Sequence, residues 1–336
     1  MSFSALYDSM CKCKKGVLWK DSTAYYYLHG IEQTLKLEKE LEDGTYKPRQ
    51  PMAFTVYTPK KRDIIAIPFR DRVYQRSLND NVIYPTMTRG FIWQNFACQK
   101  GKGTDAARKM LKRYMHGYWI NHGTDGGILQ IDIHGYYQNM DHERTKGLLR
   151  SKLPEEISNK VNIILDGQHS GSVGFNPGSQ LVQISGISFL DEIDHFIKEK
   201  LHVRRYIRYM DDLILIDCMD KLTQYKNAIG AELEKIGMKF NEKKTQILTL
   251  VKGVTFLGYH FSLSKTGKVW MKLNPSNAKR ERKKLKRFSK LVKSGDRTRE
   301  HADQCYQSWC SHAEKGDNWK LLQRMDRYYR NLWRST

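Results

Sequence analysis

The sequence predicts an α+β fold, and three observations carry that reading. Segments with apolar residues at helical spacing alternate with short extended apolar runs. No segment repeats and none is of low complexity. Beyond Pro275 the pattern turns helical and strongly basic. With 336 residues and 40% hydrophobic content, the chain has room for two or three structural units around a real core.

Residues 22 to 43 read as a helix, with Leu28, Ile31, Leu35 and Leu41 near helical spacing and Gly44 as a stop. Residues 52 to 69 read as extended, A-F-T-V-Y and I-I-A-I being separated by the basic turn P-K-K-R-D. A helix starting at Thr104 or Asp105 would turn Ala107, Met110, Leu111, Tyr114 and Tyr118 to one side. I-L-Q-I-D-I, residues 128 to 133, reads as a mostly buried strand. Helices follow at 143 to 152, ending before Pro154, and at 181 to 201. Residues 205 to 217 read as two short strands around a tight turn, and 220 to 236 as a helix stopped by Gly237. Strands are expected at 246 to 251 and 254 to 261, and a domain boundary near 270.

The formal net charge of +22 points to a polyanionic partner, nucleic acid being the commonest. No lipid anchor or long apolar span supports a membrane partner. The opening MSFSALYDSMCKCKKG lacks the apolar run of a secretory signal. Six cysteines in a chain this long fit reduced thiols, so a cytoplasmic location is expected. Cys11 and Cys13 have no partner pair at zinc-site spacing.

The stretch Y-I-R-Y-M-D-D-L-I-L-I sets two adjacent acids between apolar runs. Either it is a plain surface turn, or a cation sits there. An acid pair at a hairpin tip suits Mg²⁺, which takes one or two carboxylates plus substrate phosphates. Two-metal phosphoryl transfer needs several carboxylates converging on one point. Asp132, ending an apolar strand, is the candidate third acid beside Asp211 and Asp212; its plain alternative is a helix cap or turn former.

Taken with the segments around them, these residues resemble the reverse transcriptases, specifically the compact bacterial, retron- and intron-type enzymes. K-R-D-I-I-A-I-P-F-R-D-R-V-Y-Q, F-A-C-Q-K-G-K-G-T, I-D-I-H-G-Y-Y-Q-N-M-D-H, G-F-N-P-G-S-Q-L-V-Q, Y-M-D-D, F-N-E-K-K-T and F-L-G-Y follow one another in that family's order. The resemblance implies a right-hand polymerase. Fingers would take 1–125, a palm of antiparallel sheet and helices 126–270 with a fingers insertion about 146–170, and a helical thumb 271–336.

The resemblance also implies roles. Asp132, Asp211 and Asp212 would be the catalytic carboxylates, holding two Mg²⁺ ions, or Mn²⁺ in their place, with the Ile133 carbonyl as a further ligand. One ion would activate a primer 3′-hydroxyl and the other neutralise the leaving pyrophosphate. Tyr137 would block a ribose 2′-hydroxyl, with plain core packing as the alternative. Arg62, Arg70 and Arg72 would hold the triphosphate, Arg matching phosphate with its planar fork. Lys61 is a weaker candidate, and Lys244 would lie near the pyrophosphate. For each of these cations a solvated face is the rival reading.

Pro177 precedes Gly178 where many relatives carry Gln, and Gln183 closes that motif. The resemblance makes this a trait of diversity-generating retroelement enzymes and of unassigned, defence-linked bacterial groups, with the Pro177 position at the templating pair and Gln183 among the dNTP-binding residues. The expected partners are an RNA template, a DNA or RNA primer and dNTPs, with a structured RNA or small accessory protein lending template-positioning surface. No RNase H or endonuclease domain is expected after the basic segment.

From Lys279 to Arg299 there are eleven Lys or Arg and two acids. Lys279, Arg280, Lys283, Lys284 and Arg287 are expected to meet backbone phosphates. Tyr306, Trp309 and His312 are expected in the core of that unit. Two rival functions stay open: a polymerase-like RNA-binding module without chemistry, and DNA-templated or template-independent synthesis on the same fold.

Overall fold

The computed structural model describes residues 1–57 and 61–334. Residues 58–60, which include the Pro and first Lys of the expected basic turn P-K-K-R-D, and residues 335–336 lie outside the described residues. The chain opens with α1 (Phe3–Cys13), α2 (Asp21–Leu28) and α3 (Gly30–Glu42), then the antiparallel pair β1 (Met52–Val56) and β2 (Arg62–Ala66). Next come α4 (Phe69–Leu78), α5 (Tyr84–Thr88) and α6 (Thr104–His122). Then follow β3 (Gly127–Asp132), α7 (His142–Lys152), α8 (Glu155–Gln168), α9 (Gln180–Phe189), α10 (Asp191–His195), β4 (Arg205–Tyr209) and β5 (Asp212–Asp217). After α11 (Met219–Lys235) come β6 (Gln246–Thr249), β7 (Val254–Phe256), β8 (Tyr259–Leu263) and β9 (Val269–Leu273), and last α12 (Pro275–Lys293), α13 (Arg299–Glu314) and α14 (Trp319–Arg334).

A four-stranded sheet runs in the order β4-β5-β3-β6, with β3 and β6 antiparallel. A three-stranded antiparallel sheet runs β7-β8-β9. Two compact units emerge. The first comprises Met1–Gly103, Ile131–Leu213 and Asn227–Lys244, and the second Thr104–Gln130, Ile214–Lys226 and Thr245–Thr336. The first unit is centred on α9, whose Leu181, Val182, Ile184 and Ile187 are buried, and on Tyr206 and Ile207 of β4. In the second, Leu285 of α12, Tyr306 and Trp309 of α13, and Met325 and Tyr329 of α14 bury together, the Tyr306 and Tyr329 rings stacked at 4.2 Å. Among the described residues no helix is long and apolar enough to cross a membrane.

The sequence expectations need three corrections. The helix over 22 to 43 breaks at His29, where φ is −101° and ψ 31°. Gly30 then lies against Met10 of α1, where a Cβ would come 3.2 Å from the sulfur. The face that turns in carries Tyr26, Thr34 and Leu37, while Leu28, Ile31 and Leu35 stay exposed. The helix over 181 to 201 bends at Leu190, after Phe189. The strand over 254 to 261 is the two arms of a hairpin turning at Leu257 and Gly258, with φ of 47° and 89°.

Candidate active site

Asp132 closes β3 because the strand before it is apolar and buried while its own side chain keeps one face open. A β-bridge joins Ile133 to Phe240. The Asp132 carbonyl accepts the Asn241 N–H at 2.8 Å and the His134 N–H donates to Lys239 at 2.9 Å. In an extended chain the groups of residue 133 then face the other edge, which suits the ligand role expected of its carbonyl. Residues 241 to 244 turn back, the Lys244 N–H donating to the Asn241 carbonyl at 3.0 Å. That turn lays the Lys244 ammonium 2.6 Å from Oδ2 of Asp132.

Asp211 and Asp212 stand at the β4–β5 turn. Met210 there has φ 55°, a left-handed conformation that costs an L-residue roughly 1–2 kcal/mol. The arginine two residues earlier steadies it. Arg208 is fully buried and donates through Nη1 to the Met210 carbonyl at 3.2 Å. Its Nη2 reaches the Ile187 carbonyl at 2.9 Å and Asp194 at 2.6 Å. Tyr206, on the same face of β4, donates to Asp194 at 2.6 Å. Burial opposes the charge on Arg208, but the Asp194 carboxylate outweighs it and holds the guanidinium protonated.

The acids at the turn behave as a cluster. Burial first, then the charge of Asp132, raises Asp211, against the pull of Lys244 and Arg62. Burial, then Asp211, then Asp132 push Asp212 up to about 7. Asp132 and the adjacent hairpin acids Asp211 and Asp212 thus load one another with negative charge, and Lys244 and Arg62 offset it only in part. Among the described residues no three Asp, Glu, His or Cys side chains close into a ligand set by themselves. A cation here would draw on fewer carboxylates plus backbone and substrate oxygens, the hard and sparse donor set that Mg²⁺ accepts.

Other expected residues fall in distinct places. Arg62, exposed on β2, acts electrostatically on Asp211. The β2 strand is seated by Gly178, where a Cβ would come 2.2 Å from the Ile65 carbonyl oxygen. Tyr137 is half-buried against Gly186 of α9, and burial, with Cys98 and Asp211 behind it, raises its hydroxyl pKa. Tyr136 beside it is the fully packed core tyrosine. Gln183 is exposed on the first turn of α9. Arg70 is tied to Glu40 at 2.7 Å, and Arg72 faces a cavity with Lys12 and Arg76. Lys61 is exposed. Lys279, Arg280, Lys283, Lys284 and Arg287 are all exposed on α12, while Ala278, Glu281, Leu285 and Ser289 form its buried face. His312 lies against Tyr259, within hydrogen-bond distance at 3.2 Å.

The Arg208–Asp194 pair was absent from the expectations. Its signal was there: an arginine, Arg208, in the interior of the strand R-Y-I-R-Y just before the acid pair, and D-E-I-D at the end of a buried helical run.

Comparison with known proteins bears on this geometry. A family model described as "Reverse transcriptase (RNA-dependent DNA polymerase)" matches residues 58–261. No curated protein matches the sequence. Among solved structures, telomerase from Candida albicans in complex with a TWJ fragment of telomeric RNA is similar, with a TM-score of 0.51 and 11% identity over 79% of this chain. The chain spans 55% of that protein's length. Telomerase from Candida tropicalis, truncated from its C-terminal domain, is similar with a TM-score of 0.48 and 12% identity, over 72% of this chain and 60% of that one. The first likeness bears on fold alone and accords with a right-hand polymerase fold around a palm sheet.

Proposed function

The chain belongs to the reverse transcriptase family, and from that premise we propose that it extends a primer 3′-hydroxyl with dNTPs on an RNA template. The observation that carries this reading is the sheet order that sets β3, ending at Asp132, beside β5, beginning at Asp212 and following Asp211 at the turn, with the Asp132 charge acting on both hairpin acids. Two Mg²⁺ ions, or Mn²⁺ in their place, would be held by Asp132, Asp211 and the Ile133 carbonyl with Asp212 beside them, and would supply the charge neutralisation that phosphoryl transfer needs.

The protein's own residues do the rest. Arg62 and Lys244 bear on the charge of the carboxylates, which supports them as holders of the triphosphate. Arg70, held by Glu40, positions that segment, and Arg72 lines a cavity beside it. Tyr137, wedged on Gly186, presents a rigid ring to exclude a 2′-hydroxyl. The exposed cations of α12 guide the duplex through its phosphates. On this reading the fingers, palm and thumb keep the boundaries expected from the sequence. A structured RNA or small accessory protein completes the template surface.

Pro177, with Gln183 closing the motif, supports a bacterial or phage retroelement of the diversity-generating type. Loss of a polar side chain beside the templating pair would relax base selection. The test is primer extension on poly(rA)/oligo(dT) and on its DNA-templated counterpart with Mg²⁺ or Mn²⁺, scoring misincorporation opposite adenine on a mixed RNA. The reading expects RNA-templated synthesis with frequent errors. Extension confined to DNA templates, or to no template, would reject it in favour of the defence-type alternatives.

A further inference from the structure

The helices α2 and α3 carry an apolar face that the fold leaves uncovered. Thr23, Tyr26, Gly30, Thr34 and Leu37 are buried, where α2 meets α4 and α3 meets α1. At about 3.6 residues per turn, Tyr25, Leu28, Ile31 and Leu35 fall on the opposite side. They are 60, 78, 62 and 49% exposed. Leu18 and Trp19, in the turn before α2, are 43 and 78% exposed.

Single exposed apolar side chains are ordinary, but a run of them along one helix face marks an interaction surface. Side chains of these kinds, the aromatic ones at ~150–250 Å² each, leave several hundred Å² open, approaching the ~800 Å² per partner of a standard interface.

Charge selects what covers the face. The chain has a formal net charge of +22, yet residues 11–43 hold six lysines and six acids. Nucleic acid or an anionic membrane gains no net attraction from such a segment. A protein surface of the same mixed kind does, and α3 is complementary to itself. Glu32 stands toward the start of the apolar stripe, Lys36 and Lys39 toward its end. Glu32 and Lys36 have the i,i+4 spacing of an ion pair but do not form one. Among the described residues Glu32 reaches only His29, at 3.9 Å, and no carboxylate is within ion-pair distance of Lys36 or Lys39. A parallel pair of α3 helices would set Glu32 on Glu32 and lysine on lysine. An antiparallel pair about a twofold axis sets the Glu32 end of each helix on the lysine end of the other.

We propose that this face joins two copies of the chain, α3 lying antiparallel on the partner's α3, with Ile31 against the partner's Leu35 and Glu32 beside the partner's Lys36. A twofold contact buries the same patch on both copies, so it closes at the dimer and leaves no open end. The inference stands on this face alone and holds whether or not the chain extends primers.

The test is sedimentation equilibrium of the full chain, before and after nuclease treatment, over about a hundredfold range of concentration. The wild type is expected to pass from monomer to dimer in both samples. Ile31→Glu/Leu35→Glu changes exposed positions only and leaves the buried face intact. It should raise the dissociation constant at least about tenfold, with the urea unfolding midpoint unchanged. Glu32→Lys and Lys36→Glu should each weaken the dimer, and the two together, which exchange the charges, should restore it. A monomer at every concentration overturns the proposal. So does a dimer that survives Ile31→Glu/Leu35→Glu. A dimer seen only before nuclease treatment is two chains bridged by nucleic acid and overturns it as well. A charge exchange that fails to restore the dimer rejects the antiparallel pairing. Binding of monomeric wild type to phosphatidylglycerol vesicles, lost in Ile31→Glu/Leu35→Glu, would assign the face to a membrane instead.

Discussion

The ammonium of Lys244 lies 2.6 Å from Oδ2 of Asp132, a pair separated by 112 positions in the chain. A carboxylate expected to grip a metal thus already holds a cation, and the two must compete. The Lys244 side chain is 51% exposed, so the pair is worth only ~0.2–1 kcal/mol. Replacing it, as in Lys244→Met, should lower the Mg²⁺ concentration for half-maximal extension by up to about fivefold. The same change should reduce the maximal rate, because the pyrophosphate loses a counter-charge. A metal titration of primer extension separates the two, and a raised Mg²⁺ requirement would contradict the competition.

Arg208 and Asp194 form a pair with both side chains at 0% exposure. Removing one partner leaves a buried charge unanswered, at a cost of about 3–5 kcal/mol. Arg208→Met or Asp194→Leu should each destabilise by that order in urea unfolding. The double variant should recover much of the loss, because neither charge then remains. Strict additivity of the two losses would show that the pair is not coupled. A double variant that refolds but extends primers slowly would place the pair's value in steadying Met210.

His169 gives the fold a pH dependence. Burial first, then the nearby His142, pushes its pKa down from the usual 6.5 to about 4. Between those values the unfolded chain binds a proton that the folded chain refuses. Stability is therefore full above about pH 6.5, declines on acidification, and stops falling on this account below about pH 4. The slope is at most ~1.4 kcal/mol per pH unit. His169 accepts the Asn176 N–H through Nδ1 at 3.4 Å, so the loop that leads into α9 should loosen with it. His169→Asn keeps an acceptor but does not titrate, and should flatten the profile. An unchanged profile would assign the acid sensitivity elsewhere.

Tyr137 is fixed by close packing, since a Cβ on Gly186 would come 2.9 Å from its ring. Tyr137→Ala should raise incorporation of ribonucleotides relative to deoxyribonucleotides. A Gly186→Ala change should act the same way by displacing the ring. An unchanged preference in both variants would reduce Tyr137 to core packing.

The candidate carboxylates were legible because each stands where an acid breaks an apolar strand, as in I-L-Q-I-D-I and Y-M-D-D-L. Their convergence was expected from the chemistry and the resemblance, while the means of it, a sheet that places β5 beside β3, is set by tertiary pairing that periodicity does not show. Arg208, on strand β4, escaped notice because its partner Asp194 is contributed by helix α10, and only tertiary packing joins them. The expected strand over 254 to 261 failed at Leu257, which takes φ 47° where periodicity assumes an extended residue. The helix over 22 to 43 failed because its apolar spacing names a face that stays exposed, the buried face being set by contact with α1. Arg70 shows the limit for single cations: its neighbour Glu40, thirty positions earlier, decides where its fork points.

The central claim is that Asp132 works with the hairpin acids in one reaction centre. Single-turnover primer extension by Asp132→Asn tests it most directly, with urea unfolding confirming that the fold is kept. Metal-assisted charge stabilisation is worth several kcal/mol, so the account predicts a rate loss of at least about 100-fold, matched by Asp211→Asn. A folded Asp132→Asn protein that extends primers at the wild-type rate would contradict it.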